Sequence, residues 1–503
     1  MNPLYTVADI RAIERAAAAT LPPGALMQRA GQAGANAALD LLPLSTGQAR
    51  VLVLAGPGDN GGDALEAAAH LSFTGAQVTL IHFAPEDDSK SSPERQAALR
   101  RAKASDARFR ALEDAQLGGT EWHLVVDGLF GIGLKRPISG ALRSLVETVN
   151  QLRCSVLALD VPSGLDADTG AVVGPDGVAV RATHTITFIG NKPGLHTCDG
   201  RDYAGLVDVS RLEIDASHYA PAALHLNDVK FFARHLRARR HNSHKGSYGN
   251  VAVIGGARGM SGAPVLAART ALNSGAGRVY ALFVEDPLPC DPGQPELMCR
   301  AADGYDMAQA TLVIGPGLGG SAAAHALLSR AIASASPLLA DADALNLLAG
   351  DHALQAALAA RGAPTVLTPH PLEAARLLDS GIAAVQADRL TAAHTLARRL
   401  NAIVVLKGSG TVIAAPDGQA VINTTGNPAL ATAGTGDVLA GLCGALLAQG
   451  WPHWEAALAA VWLHGMAADV LVTEGCGPIG LTAAELIPAI RTALNRMVQH
   501  HGR

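Results

Sequence analysis

The stretch at residues 427–442, NPALATAGTGDVLAGL, places two glycines and one carboxylate directly before a long apolar run. Gly434 and Gly436 free backbone amides to face one anion, and the helix predicted after Asp437 adds its positive end. A carboxylate there is repelled by a resident anion, unless it accepts the proton of a hydroxyl group that attacks a phosphoryl group. The alternative is that Asp437 only caps the helix. The sequence therefore favours phosphoryl transfer, with Asp437 as the general base.

A second glycine-rich loop, GPGDNGGD at residues 56–63, follows a predicted strand in the first half of the chain. Gly56, Gly58 and Gly61 fit the G-x-G-x-x-G pattern of dinucleotide-binding sites, although a plain strand-to-helix turn has the same pattern. The loop also contains two aspartates, which a site for pyrophosphate alone would avoid. This departure indicates a site with additional chemistry.

Two further strand ends carry carboxylates: Asp127 precedes the loop GLFGIGLKRP, and Asp160 precedes VPSGLD. Each aspartate could instead cap a helix. Because the carboxyl ends of parallel strands form the ligand-binding edge of an α/β sheet, we expect one shared site. Asn60, Asp127 and Ser163 would supply hard oxygen ligands there, which suit an alkali or alkaline-earth cation better than a transition metal.

The composition is that of a globular protein with two domains. The chain has 503 residues, of which 49% are hydrophobic and 17% charged, and more than one core normally serves such a length. The formal net charge of −5 argues against a nucleic-acid or anionic-membrane partner. The six cysteines form no C-x-x-C pair, which predicts free thiols in a reducing compartment.

Neither a secretory signal nor a membrane span is predicted. The N-terminal sequence MNPLYTVADIRAIERAAAA carries charges where a signal needs an apolar core. The nearest candidate for a span, residues 438–448, is short and contains two glycines, so we interpret it as a buried helix. We expect a cytoplasmic protein with no membrane partner.

Short apolar runs alternate with helical stretches in both halves, which predicts βαβ units and parallel sheets. The predicted strands are 50–56, 77–83, 122–128, 155–161, 184–190, 250–256, 277–284, 311–317, 337–343, 364–370 and 402–408, followed by a hairpin that turns at Pro416, Asp417 and Gly418. The alternation breaks at residues 211–250, and we place the domain boundary near 215–224. The basic run LNDVKFFARHLRARRHNSHKGSYGN is either an anion-binding patch or, more commonly for such runs, a solvated connector.

Four motifs of the first half, AGPGDNGGD, VVDGLFGIGL, LALDVPSGLD and TFIGNKPGL, resemble the NAD(P)H-hydrate epimerase family in order and spacing. The resemblance implies a potassium ion held by Asn60, Asp127 and Ser163, and it makes Asp160 and Lys192 the acid/base candidates. It implies that the hydrated nucleotide contacts Asp160 and the residues Asp59, Asn60, Gly61, Gly62, Asp63, Gly131, Ile132, Gly133, Leu134, Lys135, Arg136 and Pro137. The family usually has Asn in place of Asp59 and Gly in place of Ala64.

The second half resembles the ADP-dependent NAD(P)H-hydrate dehydratase family from about residue 241 to 490. The motifs are HNSHKGSYGNVAVIGGARGMSG, VIGPGLG, DADALNLL, LTPHPLEAARLL, VVLKGSGTVI and NPALATAGTGDVLAG. The resemblance implies that Ala263, Gly317, His370 and Asp437 line the hydrated-nicotinamide site. It also implies that Lys407, Gly408, Ser409, Gly410, Thr411 and Gly436 bind the adenine nucleotide, and that Glu373 organises a hydrated Mg²⁺.

Together these resemblances predict a Rossmann-like three-layer αβα domain at 1–218, followed by a ribokinase-like αβα domain at 224–503. The first domain would interconvert the R and S epimers of the hydrates NADHX and NADPHX. The second would dehydrate the S form with ADP and Mg²⁺, giving AMP and phosphate. The alternatives are a kinase of a small alcohol, such as a vitamin precursor, with a fused nucleotide-binding domain, and a catalytically weak nucleotide-binding protein. We expect a homo-oligomer.

Overall fold

The structure is a computed structural model, and it describes residues 2–42, 45–84, 91–113, 117–219 and 222–502. The chain divides into two compact units, one at Pro3–Leu224 and the other at His225–Arg503 together with the first residues of the chain. Residues 220 and 221, which fall inside the predicted boundary stretch, lie outside the described residues.

The first unit is built around a sheet of seven strands. Its elements are β1 (Pro3–Leu4), α1 (Val7–Ala18), α2 (Ala25–Asp40), β2 (Arg50–Ala55), α3 (Asp59–Phe73), β3 (Gln77–His82), α4 (Pro93–Ala104), β4 (Arg108–Arg110), β5 (Leu124–Gly128), α5 (Gly140–Val149), β6 (Ser155–Leu159), β7 (His184–Phe188), α6 (Gly200–Tyr203) and β8 (Leu206–Ser210). The strand order is β4-β3-β2-β5-β6-β7-β8, and all neighbours are parallel. The order reverses between β2 and β5, which is the switch point where such sheets bind ligands.

The predicted three-layer arrangement of this unit is confirmed by the two faces of β2. Val51, Val53 and Ala55 pack in a cluster with α1 to α4, whereas Leu52 and Leu54 pack in a second cluster with α5. All five side chains are fully buried, so helices cover both faces of the sheet. The five predicted strands of this half all form. The edge strands β4 and β8, which are partly or fully exposed, are not among the predictions.

The second unit has a longer, mostly parallel sheet. Its elements are β9 (Leu224–Leu226), β10 (Asn250–Gly255), α7 (Gly262–Asn273), β11 (Arg278–Phe283), β12 (Met298–Ala301), β13 (Thr311–Ile314), α8 (Ala322–Ala333), β14 (Leu338–Ala340), α9 (Ala342–Ala349), α10 (His352–Ala359), β15 (Thr365–Leu367), α11 (Pro371–Leu377), α12 (Ile382–Ala387), α13 (Arg389–Leu400), β16 (Ile403–Leu406), β17 (Val412–Ala414), β18 (Ala420–Ile422), α14 (Thr435–Ala448), α15 (His453–Thr473) and α16 (Ala483–His501). From β18 the order runs β17-β16-β15-β14-β13-β10-β11-β12.

This second sheet is parallel except at the predicted hairpin, where β17 pairs antiparallel with both β16 and β18. One face packs on α7, α14, α15 and α16, and α8 packs against β13. The α/β class predicted for this half is therefore confirmed. Along one edge of the sheet lie the carboxyl ends of four parallel strands, β13, β14, β15 and β16, and the motif loops begin there.

We expected no segment long and apolar enough to span a membrane, and this expectation is wrong, because one helix has the necessary length and composition. Helix α15 has 21 residues and passes both criteria. Most of its residues are buried within the unit, where it packs against α14 and α16. The core helix of a globular domain passes the same test, because its apolar residues face protein on several sides. The predicted buried helix at 438–448 corresponds to most of α14.

Two of the three glycines in the G-x-G-x-x-G pattern of the first unit are required by close backbone approach. A Cβ atom at Gly56 would lie 1.7 Å from the carbonyl oxygen of Leu129, and one at Gly61 would lie 1.9 Å from that of Gly56. A Cβ atom at Gly58 meets no described atom within 4 Å. The switch-point loop is therefore tied to the loop after β5 through backbone contact at Gly56.

We expect Gly56→Ala to destabilise the first unit by about 3 kcal/mol or more, because the new methyl group must displace backbone rather than a side chain. Gly58→Ala is the matched control and should change the free energy of unfolding by less than about 1 kcal/mol. Urea unfolding followed by circular dichroism measures both. Equal midpoints for the two variants would contradict the close approach at Gly56.

Candidate active sites

The predicted cation ligands of the first unit lie together at the ends of β5 and β6. Asp127 is fully buried, and its Oδ1 accepts a hydrogen bond of 2.6 Å from Ser163 Oγ. Its Oδ2 accepts one of 2.8 Å from the Ser163 amide. Burial raises the pKa of Asp127 to about 6, although the hydrogen bonds from Ser163 and Leu129 favour its charged form. A nearby cation would favour that charged form further.

Asn60 completes this group. Its Nδ2 donates to the carbonyl oxygens of Phe130 (3.0 Å) and Leu159 (3.1 Å). Its Oδ1 is buried and has no hydrogen-bond partner among the described residues. A buried amide oxygen without a donor is costly unless it has a ligand. The residues therefore fit a monovalent cation. Among the described residues no group of three His, Cys, Asp or Glu side chains forms a site for a metal ion of the transition type.

Asp160 and Lys192 form a buried ion pair beside this group. Lys192 is fully buried, and its ammonium group donates to Asp160 Oδ1, to Thr187 Oγ1 (2.8 Å) and to the Phe188 carbonyl (2.9 Å). Asp160 has a φ of 64°, an uncommon conformation for a residue that is not glycine. Its other oxygen, Oδ2, lies 3.6 Å from the position of a Cβ atom at Gly131. One carboxylate oxygen is thus held by lysine, while the other faces the glycine-rich loop after β5.

Glu14 of α1 also belongs to this cluster, and it is not among the residues predicted from the sequence. Burial, followed by the charge of Asp160, raises the pKa of Glu14 to about 6. Burial and the charges of Asp160, Asp59 and Glu14 also raise the pKa of Asp63 well above its usual value. The site therefore gathers carboxyl groups whose mutual repulsion and burial favour their neutral forms at Glu14 and Asp63. Glu14 stands in an ordinary amphipathic helix, and no motif marks it.

The predicted loop at residues 131–137 divides between the site and the core. Gly131 lies beside Asn60 and Asp160, and Gly133 lies 3.5 Å from Arg11, measured from an added Cβ atom. Lys135 is mostly exposed, 3.9 Å from Asp166. Of the other residues in this loop, Ile132 and Leu134 pack against the hydrophobic clusters, Arg136 is exposed, and Pro137 lies against Gly174.

The two departures from the epimerase-like motif have different surroundings. Ala64 is fully buried, and its methyl group lies 2.5 Å from the position of a Cβ atom at Gly128 of β5. It is therefore part of the packing between α3 and the sheet. Asp59 is the first residue of α3 and is exposed, where a carboxylate interacts favourably with the positive end of the helix.

In the second unit Asp437 lies in the first turn of α14, after Gly434, whose φ is 89°. Burial, and then the charge of Asp341, raises the pKa of Asp437 to about 7, while Lys407 acts in the opposite direction. Lys407 Nζ donates to Asp341 Oδ1 at 2.7 Å and lies 3.4 Å from the position of a Cβ atom at Gly436. A lysine ammonium and the amides of a helix start therefore lie side by side, as phosphoryl oxygens require.

Asp341 ends β14 and precedes α9, but its side chain makes no capping hydrogen bond among the described residues. It is 2% exposed and pairs with Lys407 instead. Burial would lower the pKa of the Lys407 ammonium, but the carboxylates of Asp341, Glu373 and Asp437 outweigh it and raise that pKa. Asp341 is thus a second carboxylate of this site.

His370 and Glu373 cap the start of α11. The Glu373 carboxylate accepts a hydrogen bond of 2.7 Å from the His370 amide, and His370 Nδ1 accepts from the amides of Leu372 (3.1 Å) and Glu373 (3.4 Å). Burial raises the pKa of Glu373 to about 7, with Lys407 opposing and Asp341 adding to the effect. Both residues therefore have a structural role in the helix start and lie within electrostatic reach of Lys407.

Ala263 and Gly317, the other predicted members of the nicotinamide site, lie against each other. A Cβ atom at Gly317 would lie 3.3 Å from that of Ala263 and 2.6 Å from the carbonyl oxygen of Met260. The φ of Gly317 is 57°. Asp343 holds the same loop, since its Oδ2 accepts a hydrogen bond of 2.9 Å from the Gly319 amide. The start of α7 and the loop after β13 therefore form one small-residue wall.

A buried arginine binds carbonyl oxygens at the start of the predicted nucleotide loop, residues 407–411. Arg389 is 1% exposed, and its Nη2 donates to the carbonyl oxygens of Leu406 and Lys407, each at 3.1 Å. Gly408, with a φ of 132°, approaches the same guanidinium group, which lies 3.0 Å from the position of its Cβ atom. Ser409 and Gly410 follow in this turn, and Thr411 Oγ1 donates to the Gly408 carbonyl at 3.1 Å. Arg389 therefore fixes the direction of the loop amides.

The first unit uses the same arrangement. Arg95 of α4 is 3% exposed, and its Nη2 donates to the carbonyl oxygen of Gly56 at 3.1 Å and to that of Phe83 at 3.3 Å. In each unit a buried arginine thus holds carbonyl oxygens where a glycine-rich loop leaves its strand. The sequence analysis missed both, because a carbonyl acceptor leaves no mark in the sequence.

Comparison with known proteins finds one family model in each half of the chain. Residues 23–194 match the family model described as YjeF-related protein N-terminus, and residues 251–491 match the model described as NAD(P)H-hydrate dehydratase. A "Bifunctional NAD(P)H-hydrate repair enzyme Nnr" of Coxiella burnetii is 37% identical over 98% of this chain and 100% of its own length. The Escherichia coli protein of the same name is 37% identical over 97% and 93%. An "ADP-dependent (S)-NAD(P)H-hydrate dehydratase" of Neisseria meningitidis is 46% identical over 53% of this chain and 92% of its own length.

The two arginines provide a reciprocal test of loop support. We expect Arg389→Lys to speed amide hydrogen exchange at residues 407–411 by about tenfold. The planar guanidinium group of Arg389 also donates from Nη1 to Gln386 Oε1, which fixes Nη2 against both carbonyl oxygens, whereas an ammonium group on a flexible stem has no such second anchor. The exchange of residues 56–63 should stay unchanged. Arg95→Lys should have the opposite pattern. Exchange that rises equally in both loops of either variant would mean global destabilisation and would refute local support.

Proposed function

The chain belongs to the family of bifunctional NAD(P)H-hydrate repair enzymes, and we propose that each unit performs one step of the repair. The first unit interconverts the R and S epimers of NADHX and NADPHX. The second dehydrates the S form with ADP, which becomes AMP and phosphate. The observation that carries the second step is the carboxylate of Asp437, with a pKa near neutrality, in the first turn of a helix beside the Lys407 ammonium.

In the dehydration step, Asp437 accepts the proton of the ring hydroxyl as that oxygen attacks the terminal phosphoryl group of ADP. AMP leaves, and the ring hydroxyl becomes a phosphate ester. Phosphate then departs as the nitrogen lone pair forms a C=N bond, and loss of a proton from the neighbouring ring carbon restores the C=C double bond. A base with a pKa of about 7 has the favourable balance of availability and proton affinity for this transfer. The amides after Gly434 and the Lys407 ammonium face the charge that develops on the phosphoryl oxygens.

Mg²⁺ would enter this site with the nucleotide. Among the described residues no set of three carboxylate, thiolate or imidazole ligands is preformed, and Mg²⁺ commonly binds through one or two carboxylates plus phosphate oxygens. Asp341, Glu373 and Asp437 surround Lys407 with more negative charge than one ammonium balances. A divalent cation supplies charge neutralisation there. Glu373 is placed to act through water, since His370 occupies its carboxylate.

In the epimerisation step, Asp160 is the group that we propose to exchange a proton with the hydrated ring. Lys192 has three acceptors for its three N–H groups and is fully buried, so it fixes one oxygen of Asp160 and leaves the other facing the glycine-rich loop. Glu14, with a pKa of about 6, is the second proton-exchanging group of the cluster. Asn60, Asp127 and Ser163 would hold a potassium ion, which supplies a positive charge for the substrate phosphates.

The test uses the purified chain with a mixture of both NADHX epimers, Mg²⁺ and K⁺. We expect return of the dihydronicotinamide absorbance from both epimers with ADP and none without a nucleotide. Replacing K⁺ by choline should slow the R fraction alone. Accumulation of a stable phosphorylated product with ATP would instead identify a kinase and overturn the proposal.

Two variants separate the steps. Asp437→Asn should lower turnover of both epimers by about 10²- to 10⁴-fold with unchanged ADP affinity, while R and S forms still interconvert. Asp160→Asn should leave the S fraction fully repaired and abolish repair of the R fraction beyond its spontaneous rate. Asp417→Asn, in the exposed hairpin turn, is the control for both. Loss of ADP binding with normal turnover in Asp437→Asn would contradict the base assignment.

The pKa of Asp437 and the pKa of Glu373 are both about 7, so the pH dependence of variants is needed to tell which carboxylate is the base. Because the base must be unprotonated, kcat/KM for S-NADHX should rise about tenfold per pH unit below that pKa and level off above it. Lys407 lowers the pKa of Asp437, so Lys407→Gln should move the inflection to higher pH. Glu373→Gln should leave an inflection in place. Its disappearance in that variant would transfer the base role to Glu373.

A further inference from the structure

The second unit contains a cavity of about 840 Å³ at the end of α14 opposite to Asp437. It lies between the exposed segment at residues 237–248 and the final turns of α7 and α14, and Gln449 at the end of α14 lines it. Asp437 is in the first turn of the same helix. A helix of this length spans about 20 Å, so the cavity is separate from the dehydration site.

The lining of this cavity carries positive charge without a counter-charge. Arg237, Arg239, Arg240 and Arg491 line it, and no aspartate or glutamate does. Within the described part of the chain, none of these four arginines forms an ion pair within 4.0 Å. Like charges gathered in a concave site repel each other unless an anion joins them.

Two carboxylates that contact residues of the lining are already engaged. Glu455 pairs with Arg234 and lies 3.6 Å from His235, and Glu296 accepts a hydrogen bond of 2.8 Å from Gln294. Neither carboxylate lines the cavity. The positive charge of the lining is therefore not balanced by these groups.

Two of the arginines are held in place, and two are not. Arg239 donates to the carbonyl oxygen of Gly275 at 2.5 Å and stacks on Tyr248 with its Cζ 3.7 Å from the ring centre. Arg491 donates to Asn273 Oδ1 at 3.1 Å. Capping the end of α7 accounts for the position of Arg239. It does not account for Arg237 and Arg240, which are exposed at the rim.

We propose that this cavity binds the oligophosphate group of a small molecule, at a site distinct from both catalytic sites. Arginine forks bind phosphate oxygens in pairs, and a volume of this size accommodates a nucleotide. Trp451, which also lines the cavity, stacks with His235 at 5.4 Å and offers an aromatic wall for a base. The basic run that the sequence left open as an anion patch or a connector is thus an anion-binding segment.

The test compares the double variant Arg237→Gln/Arg240→Gln with Arg398→Gln/Arg496→Gln, which removes the same charge from exposed positions outside the cavity. Isothermal titration of the full chain uses inorganic tripolyphosphate as one probe and ADP as the other. We expect two binding sites per wild-type chain. In the cavity variant one of these two binding sites should lose at least about tenfold in affinity, while S-NADHX turnover is unchanged. The control variant should keep both sites.

The two probes separate the sources of the phosphate. Tighter binding of ADP than of tripolyphosphate at the affected site identifies a nucleotide site, and equal binding identifies a site for the oligophosphate alone. Unchanged titrations in the cavity variant would overturn the proposal. Equal weakening in both double variants would reduce it to net charge and would overturn it as well. A change in molecular mass by light scattering, with phosphate binding intact, would show that the cavity is an interface between copies instead.

Discussion

Each candidate active site is built on a buried pair of aspartate and lysine at a strand end. Asp160 follows β6 and pairs with Lys192, and Asp341 follows β14 and pairs with Lys407. Removing two charges from water costs several kcal/mol per ion, and only close geometry with further hydrogen bonds offsets it. The parallel sheets provide that geometry, because their rigid strand ends fix the aspartate while the loop after another strand brings the lysine. That strand is β7, next to β6, in the first unit and β16, two strands from β14, in the second. In both pairs one carboxylate oxygen remains for other contacts.

The pairs also set the proton affinity of the carboxyl groups around them. Asp160 raises the pKa of Glu14, and Asp341 raises that of Asp437, in each case in addition to burial. A carboxyl group that titrates near pH 7 can take up and release protons in the cell, which an isolated surface aspartate cannot do. The accumulation of negative charge is thus part of the chemistry. The same negative charge would favour a cation beside each site.

The sequence predicted the buried architecture better than its edges and its contacts. Strands such as β2 and β13 are covered on both faces, so their apolar runs are continuous and easily found. Edge strands such as β4 and β8 lack that signal because solvent covers part of their surface. Asn60, Asp127 and Ser163 were grouped correctly in space from their positions at strand ends. Glu14 was missed because it reaches the site from a helix that precedes the sheet in the chain.

The glycine-rich motifs alone describe these sites incompletely, because buried arginines that no motif includes also hold the loops in place. Glycine permits a loop to turn its amides toward a ligand, but it gives the loop no preferred direction. Arg95 and Arg389 supply that direction by binding the carbonyl oxygens on the opposite side of the loop, at Gly56 and at Leu406 and Lys407. Because the peptide unit is planar, the held carbonyl of Lys407 turns the Gly408 amide the other way. The Lys407 amide already donates to the Pro369 carbonyl, and Pro57, which follows Gly56, has no N–H to orient. The buried arginine therefore orients one amide of the loop in the second unit, whereas in the first unit it fixes the path of the loop by holding the carbonyl oxygen that precedes a proline.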